Sequence, residues 1–326
     1  SISRPVDPRV IVNPNKLDTN GTTTIDWYVP SPDGKRVAVS LSEKGSEDGT
    51  LYFFDASRTN NARVAEAVPR VQYPTGGGSA AWNADGTGVF YTRYPHQGEK
   101  PAADVNFYQQ VWFHKLGTPA SEDRYEIGRE FPRIAEIDLE SGDDGKLILA
   151  KVANGDGGDF ALWLRLHDGA WKQIAKDEDG IKSAVFSADK ALYLLSRQDA
   201  PRGKILRLRL DAAELTVASA TLLVPEGEAV IDSFVSSPKG LYVKELVGGP
   251  SHVVPLKGLA SVQQMLVRRG EELTLRTVTF TEPYSWNYYF PGTNRLTRTG
   301  LVATSPVEFN DVEALRETAT SKDGTK

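Results

Sequence analysis

Short segments of alternating apolar and polar residues, separated by tight polar turns, recur along the whole chain. Residues 31–42 show the pattern: the turn Ser-Pro-Asp-Gly-Lys leads directly into Arg-Val-Ala-Val-Ser-Leu-Ser. The same unit recurs at 83–92, 141–150, 187–196 and 236–245. Apolar residues at every second position predict half-buried β-strands, and helical spacing of apolar residues is nearly absent. The sequence therefore predicts an all-β chain.

The turn residues set the length of the repeat. Equivalent turn positions follow one another at intervals of 45 to 59 residues, at Gly34, Gly86, Gly145, Lys190 and Gly240. A period near 50 residues, with several short strands in each unit, is typical of a β-propeller, whose blades are four-stranded antiparallel sheets. We therefore predict a β-propeller.

Strands can be placed in six successive units. Units one to four are predicted to have four strands each, at 24–31, 36–42, 50–56 and 62–68; 79–86, 88–95, 110–117 and 123–130; 134–141, 146–152, 160–166 and 171–175; and 183–190, 191–197, 204–210 and 220–225. The fifth unit is one strand short, with strands at 230–239, 240–247 and 252–257. The sixth unit is complete, with strands at 261–272, 273–280, 285–290 and 295–301. A lone strand is predicted at 9–12.

The connections of these blades alternate between two faces of a propeller. Turns that follow the first strand of each blade, such as 31–35, lie on one face. Connections between second and third strands, at 43–49, 96–106 and 153–159, lie on the other. If a second domain is present, we expect one of these two sets to meet it.

Composition places the chain among ordinary globular proteins and argues against nucleic-acid and membrane partners. Its 326 residues are 40% hydrophobic and 25% charged, which is enough for a large core. The 38 basic and 43 acidic residues are interleaved, so no basic stripe for nucleic acid is present. No apolar run approaches the roughly 18 residues that cross a bilayer. We expect a soluble protein without nucleic-acid or membrane partners. Cytoplasm and periplasm both stay open, since the chain has no cysteine.

Motifs for catalysis and for cofactor binding are missing. A nucleophile elbow needs Gly-x-Ser-x-Gly, and the nearest segment, 77–81, lacks the second glycine and runs into a strand. No metal-ligand spacing, Walker motif or dinucleotide fingerprint occurs. We interpret the acidic segments 154–159 and 177–180 as hairpin turns, because they lack the ligand pattern of a calcium loop. Four histidines are isolated from one another and are interpreted as surface or strand residues: His96, His114, His167 and His252. We therefore predict no catalytic, cofactor-binding or metal-binding residue here.

Three segments resemble a known protein family. Residues 26–55, residues 107–130 and the tail at 312–326 resemble the β-propeller domain of the prolyl oligopeptidase family of serine peptidases. Within them, the stretch from His114 to Asp123 is similar to the connection between third and fourth strands of an early blade in that family. The tail's Thr-Ser-Lys-Asp-Gly-Thr is similar to the family's crossover into an α/β-hydrolase domain. The resemblance covers nearly the whole chain.

This resemblance implies a seven-bladed propeller that caps the active site of a proline-specific serine endopeptidase. In that family the propeller is not closed by a shared strand, and its narrow tunnel and interdomain hinge admit only short peptides, which are cut after proline. The catalytic serine, aspartate and histidine lie in the hydrolase domain, so none of them is carried over to this chain. The strands placed above give about six blades plus the lone strand at 9–12, which can pair with residues 312–320.

The resemblance also implies a domain division and a function. It divides the chain into a propeller at 1–311 and, at 312–326, a crossover into a hydrolase domain that would begin after Lys326. We expect the chain to be the non-catalytic gate of a prolyl oligopeptidase-like peptidase, with that hydrolase domain and short peptides as partners. On its own it is expected to hydrolyse nothing. The alternative is a free-standing propeller that serves as a protein-binding scaffold.

A third interpretation is a propeller enzyme with a metal ion in its central channel. It needs acidic or histidine ligands that converge from several inner strands. Asp26, Asp138 and Asp232 lie on predicted inner strands. Polar side chains that line a hydrated channel explain these aspartates more simply, because no ligand spacing accompanies them.

Overall fold

The computed structural model describes most of the chain between residues 9 and 324. Within those limits the segments not described are 59–61, 65, 143–144, 239, 247–255, 257–259, 269–271, 310, 316 and 318. The described residues form one short helix, α1 (Pro14–Leu17), five single-turn 3₁₀ helices and 22 strands. Within this part of the chain, no helix has the length and apolar character needed to cross a bilayer.

The first three sheets each have four antiparallel strands in chain order. Blade 1 consists of β1 (Thr23–Pro30), β2 (Arg36–Glu43), β3 (Gly49–Asp55) and β4 (Val68–Gln72). Blade 2 consists of β5 (Ala80–Trp82), β6 (Gly88–Arg93), β7 (Gln110–Lys115) and β8 (Arg124–Ile127). Blade 3 consists of β9 (Ala135–Ser141), β10 (Ile148–Asn154), β11 (Ala161–Arg165) and β12 (Trp171–Ala175).

Two further four-stranded sheets flank a two-stranded one. Blade 4 consists of β13 (Ile181–Ser187), β14 (Ala191–Ser196), β15 (Lys204–Arg209) and β16 (Thr221–Val224). Blade 5 shows β17 (Val230–Ser237) and β18 (Gly240–Leu246). Blade 6 consists of β19 (Ala260–Val267), β20 (Leu273–Thr279), β21 (Ser285–Phe290) and β22 (Arg295–Val302). The 3₁₀ turns are Ala120–Glu122, Gly155–Gly157, Asp177–Asp179, Val217–Ser219 and Pro291–Thr293.

The all-β propeller predicted from the sequence is confirmed, with corrections in detail. The strand predicted at 62–68 is wrong: β3 pairs with β4, which buries Val68 and Val71, while Val64 stays exposed. The strand predicted at 252–257 lies outside the described residues, Leu256 excepted. The seven blades implied by the resemblance are not found either. Seven four-stranded sheets need more strands than the 22 that the described residues form.

Apolar clusters between neighbouring blades form the core. Alternation along each strand sends every second side chain toward an adjacent blade. Phe53 and Trp82 meet edge to face between blades 1 and 2, with ring centroids 5.9 Å apart. Similar clusters join each later pair, and representative members are Val111 and Ile137; Leu149 and Leu192; Leu195 and Ile231; and Val235 and Leu275. No cluster of described residues joins blade 6 to blade 1.

The N-terminal segment covers the other side of blade 1. Ile11, Val12 and Leu17 pack against a buried cluster on β2 and β3 that includes Val39 and Phe54. The lone strand predicted at 9–12 is therefore wrong: the described residues there are apolar cover rather than a paired strand. Its predicted partner at 312–320 is wrong too, since no described residue of that stretch is in a strand.

The first strands of the blades lie at the centre of the arrangement. β1 contacts β5, β5 contacts β9, β13 contacts β17 and β17 contacts β19. Because strands alternate in direction, the turns after the first strands share one face, which we call the turn face. The starts of first strands, the ends of fourth strands and the connections between second and third strands share the opposite face, which we call the loop face.

The first-strand turns of blades 1 to 4 have a left-handed residue, and blade 4 lacks the usual glycine there. The equivalence predicted for Gly240 is wrong, because Gly240 begins β18 and is not left-handed. Gly34, Gly86 and Gly145 have φ between 61° and 69°, the region that glycine enters without steric cost. Lys190 holds the same position in blade 4, with φ of 57°. The sequence had placed Lys190 in register with the glycines, and the backbone confirms that equivalence.

We expect Lys190→Gly to raise the free energy of unfolding by about 1 kcal/mol, because it removes a side chain from a left-handed position. The midpoint of urea unfolding checks this. The reverse change in blade 2, Gly86→Lys, is the matched control and should lower the midpoint by a similar amount. A Lys190→Gly midpoint equal to that of the unsubstituted protein would contradict the argument.

Candidate functional surface

The loop face of blades 1 and 2 carries the longest connection within a four-stranded blade. Residues 94–109 join β6 to β7, where a two-residue turn would suffice for an antiparallel pair. Long connections without strands or helices of their own are commonly functional. This segment, here called the long loop, lies beside the shorter loop 44–48 of blade 1.

Arg70 ties these two loops together. Its guanidinium donates to Asp48 Oδ2 at 2.7 Å, to the Val105 carbonyl at 2.6 Å and to Asn106 Oδ1 at 2.8 Å. The guanidinium carbon also lies 5.4 Å from the centroid of the Tyr73 ring. Arg70 itself has φ of 64°, an uncommon conformation for a residue with a side chain. One half-buried cation thus holds β4 and both loops; we call it the Arg70 junction.

Two more arginines anchor the long loop. Arg93 at the end of β6 donates to Glu99 at 2.7 Å, and the His96 backbone N–H donates to the same carboxylate at 2.9 Å. Arg133 donates to Asp104 at 2.9 Å. These contacts hold the loop at both of its arms, so it is a folded part of the surface in this structure.

His96 and Glu99 have shifted titration behaviour within this loop. Partial burial, followed by the nearby Arg93 charge, lowers the pKa of His96 below its usual value. Burial opposes ionisation of Glu99, but the His96 N–H and the Arg93 guanidinium outweigh it and lower the pKa of that carboxyl. At neutral pH the loop therefore combines a neutral imidazole with an ionised carboxylate.

We expect the long loop to loosen as the pH falls from about 7.5 to about 5. A lowered folded-state pKa means that His96 contributes stability above about pH 6.5, which is lost as the pH falls through the lowered value. Hydrogen exchange of the amides in 94–109 measures this. His96→Gln should flatten the pH dependence. An unchanged profile in that variant would assign the effect to another group.

A polar pocket opens at the Arg70 junction. Its volume is about 480 Å³ and it is lined by Asp48, Arg70, His96 and Gln97. A cation, a carboxylate, an imidazole and an amide together offer both donors and acceptors to a polar group such as a peptide backbone.

The inner strands carry a separate set of charges, and each has a partner within its own blade. Asp26 accepts from the Ser40 and Ser42 hydroxyls at 2.7 and 2.6 Å. Lys151 contacts Asp138 at 2.6 Å, and Lys244 on β18 contacts Asp232 on β17 at 2.7 Å.

The metal interpretation finds no support in these positions. Asp26, Asp138 and Asp232 have separate partners, and the described residues contain no group of three or more acidic, histidine or cysteine side chains that could hold a metal ion. Burial alone would lower the pKa of Lys151, but Asp138 and nearby Glu140 raise it. The Lys151 ammonium therefore stays charged as the counter-ion that these carboxylates need.

One buried polar network has the Asp–His pairing of a catalytic site but lacks the nucleophile and the substrate access that catalysis needs. Asp123 accepts from the Tyr91 hydroxyl and contacts His114 Nδ1, both at 2.7 Å. His114 is fully buried, its ring stacks on Phe53 with centroids 5.5 Å apart, and its Nε2 has no partner. A catalytic histidine needs a nucleophile and access for substrate, and this one faces apolar core. We call it the His114–Asp123–Tyr91 network. It links strands of blade 2 to one another at the contact with blade 1.

The sequence showed four histidines that are isolated from one another, and the structure places three of them in different surroundings. His114 belongs to the buried network. Its partner Asp123 lies in the same short segment, and this proximity was the only sequence signal for the contact. His96 lines the polar pocket. His167 is exposed in the turn between β11 and β12, and His252 lies outside the described residues. The acidic segment 177–180, interpreted as a hairpin turn, instead connects blade 3 to blade 4.

Comparison with known proteins gives a consistent match. The family model for the N-terminal β-propeller domain of prolyl oligopeptidase matches residues 3–288. Prolyl oligopeptidase A of Galerina marginata is 24% identical over an alignment 253 positions long, which covers 71% of this chain and 33% of that protein. The dual function macrocyclase-peptidase POPB of Amanita bisporigera is 22% identical over an alignment 351 positions long, which covers 97% of this chain and 47% of that protein. The chain thus spans about a third to half of these relatives.

Solved structures share the fold. A structure from a study of two prolyl endopeptidases and their inter-domain dynamics aligns with a TM-score of 0.82 at 20% identity, over 97% of this chain and 47% of that one. Oligopeptidase B from Leishmania major aligns with a TM-score of 0.76 at 16% identity, over 100% of this chain and 48% of that one. At such identities the likeness shows the propeller fold, and about half of each solved chain has no counterpart here.

Proposed function

Because the chain belongs to the family of N-terminal β-propeller domains of prolyl oligopeptidases, we propose that it is the non-catalytic gate of a proline-specific serine peptidase. In this proposal it admits short proline-containing peptides to an α/β-hydrolase domain of the same protein. The observation that carries the proposal is the family match over residues 3–288, in a chain that spans only about a third to half of the relatives named above.

We further propose that the hydrolase domain meets the loop face. β1 starts on that face and β22 ends on it, so the chain enters and leaves the described blades there. In this arrangement the polar pocket and the long loop face the space between the two domains. Residues 303–324 follow β22 without a described strand or helix, which supports a connecting role for the tail at 312–326.

We infer that this face gates access to the space between the domains. A peptide that reaches the space between the domains passes the long loop, which is held by Arg70, Arg93 and Arg133. A loop held by hydrogen bonds and ion pairs can open and close without unfolding the blades that support it. Bulky folded substrates are then excluded, while short peptides enter when the loop moves.

The test is the intact mass of the native protein together with its activity. We expect a mass roughly twice the 35.7 kDa of this chain, since the solved neighbours contain about as much chain again. The purified 326-residue chain should leave a chromogenic proline peptide uncut, while the native protein cleaves it. A native mass near 35.7 kDa would instead support the scaffold alternative, and cleavage by the isolated chain would overturn the gate proposal.

A further inference from the structure

A second cavity lies at the turn between β21 and β22 of blade 6. Its volume is about 570 Å³, which is within the usual range for small-ligand sites. Its lining includes Phe290, Pro291, Asn294 and Arg295 from that turn, and Glu272 just before β20. Because neighbouring strands run in opposite directions, turns after first strands and turns after third strands share one face. The cavity, which we call the blade-6 pocket, therefore lies on the turn face.

Arg295 supplies a cation that is stacked on an aromatic ring. Its guanidinium carbon lies 5.1 Å from the ring centroid of Phe290, the residue directly opposite it on β21. Arg295 is exposed, and no hydrogen bond or ion pair from another described residue reaches its guanidinium. Stacking uses the flat face of a guanidinium, whereas oxyanions pair with its N–H edge. Arg295 can therefore bind an anion and keep its contact with the ring.

The other polar side chains of the blade-6 pocket favour an anion as well. The Tyr289 hydroxyl donates to Asn294 Oδ1 at 3.0 Å, so the amide oxygen is engaged and the NH₂ group is left as a donor. Glu272 accepts from the Arg268 guanidinium at 3.0 Å, which offsets its negative charge. The pocket therefore has a net positive charge from Arg295 and offers donors rather than acceptors.

An apolar wall limits which anion fits. Phe290 and Pro291 are half-buried and line the pocket beside Arg295. A bare inorganic anion would pair with the guanidinium but leave this wall in contact with water. A carboxylate that is attached to an apolar group satisfies both the wall and the cation. The C-terminal residue of a peptide combines these two features, because its carboxylate lies next to its own side chain.

Resting on the proposed function, we propose that the blade-6 pocket binds the C-terminal carboxylate of a short peptide whose last residue is apolar. Arg295 pairs with the carboxylate, Asn294 donates to it, and the last side chain packs on Phe290 and Pro291. Cleavage after proline releases peptides that end in proline, whose ring is apolar. Products of the proposed reaction are therefore ligands of this class, and the pocket adds a product-binding site on the turn face.

The experiment measures peptide binding by the native protein after treatment with a fluorophosphonate, which caps a reactive serine and so blocks binding there. Fluorine NMR follows the signal of trifluoroacetyl-Ala-Pro with a free C-terminal carboxylate, and of the same peptide with an amidated C-terminus. We expect the free acid to bind about fivefold or more tightly than the amide, because only the carboxylate forms an ion pair with Arg295.

Substitutions assign the binding to Arg295. Arg295→Gln should weaken binding of the free acid about fivefold or more, to the level of the amide. Arg295→Lys keeps the charge without the planar fork and should give an intermediate affinity. Arg209→Gln is the matched control, since Arg209 ends the third strand of blade 4 and pairs with Asp211 at 2.6 Å. This control should bind the acid as the unsubstituted protein does.

Equal binding of the acid and the amide would overturn the proposal, as would equal binding by Arg295→Gln and the unsubstituted protein. Two competitors test the class of ligand. If inorganic phosphate or cyclohexanecarboxylate displaced the labelled peptide as well as the unlabelled peptide acid does, the occupant would be a general anion or a free organic acid, and the proposal would be wrong. The proposed function fails separately, if the fluorophosphonate labels no serine in the native protein.

Discussion

Replacing Asp123 by alanine is expected to lower the free energy of unfolding by about 3 kcal/mol. The carboxylate is almost completely buried and satisfies both the Tyr91 hydroxyl and the His114 ring. Its removal leaves two polar groups without partners in the apolar contact between blades 1 and 2. Burial and the adjacent carboxylate raise the pKa of Tyr91, so the phenol keeps its proton and cannot compensate by ionising. Urea unfolding followed by fluorescence measures the loss.

Blade 4 offers a matched control for this prediction. Asp189 also accepts from a tyrosine and a cation, the Tyr193 hydroxyl at 3.2 Å and the Arg207 guanidinium at 2.7 Å, but it lies at the surface. Exposed pairs contribute about 1 kcal/mol or less. Asp189→Ala should therefore cost much less than Asp123→Ala. Equal losses would show that burial is not what makes the His114–Asp123–Tyr91 network important.

The second large effect is expected at the Arg70 junction. Arg70→Ala removes three hydrogen bonds to Asp48, Val105 and Asn106 at once. Bonds from a charged donor to a half-buried site contribute about 2 kcal/mol in sum, so opening of the long loop should become about thirtyfold more favourable. Hydrogen exchange of residues 94–109 should accelerate by that factor, while exchange in blades 3 and 4 should not change.

Arg133→Ala is the comparison for the junction. Arg133 holds the other arm of the long loop through Asp104 and the Ala103 carbonyl, and its side chain is 43% exposed. Its loss should accelerate exchange only severalfold. In the proposed full-length peptidase, the Arg70 variant should cleave longer peptides faster relative to short ones. An unaltered length preference, with a loosened loop, would separate the loop from gating.

Most of the strands could be predicted from the sequence because each blade is built from neighbouring segments. Alternation located β12 and β21 at their observed limits, and the turn glycines set the blade spacing. The fourth strand of blade 1 was misplaced because 62–68 also alternates, and only the partner surface of β3 decides that Val68–Gln72 pairs with it. Local periodicity does not show which of two alternating segments pairs with β3.

The candidate surface was predicted in outline only. The sequence grouped 43–49 and 96–106 on one face, which the structure confirms. It did not find Arg70, whose partners lie 22 to 36 residues away in the sequence and whose left-handed backbone has no glycine to mark it. The link from Tyr91 to Asp123 spans 32 residues in the same way. Junctions of this kind arise from tertiary packing.

Each sheet consists of strands that are consecutive in the sequence, and this has a consequence for how the molecule assembles. Because each blade pairs strands that are neighbours in the sequence, the strand pairing within a blade does not require the other blades. Stability then accumulates interface by interface, as in linear repeat proteins. Blade 1 has both faces packed, by blade 2 and by the segment that contains Ile11 and Val12, whereas an apolar cluster of described residues joins blade 6 to blade 5 alone. We therefore expect unfolding of the described blades to begin at blade 6 and to proceed toward the N-terminus.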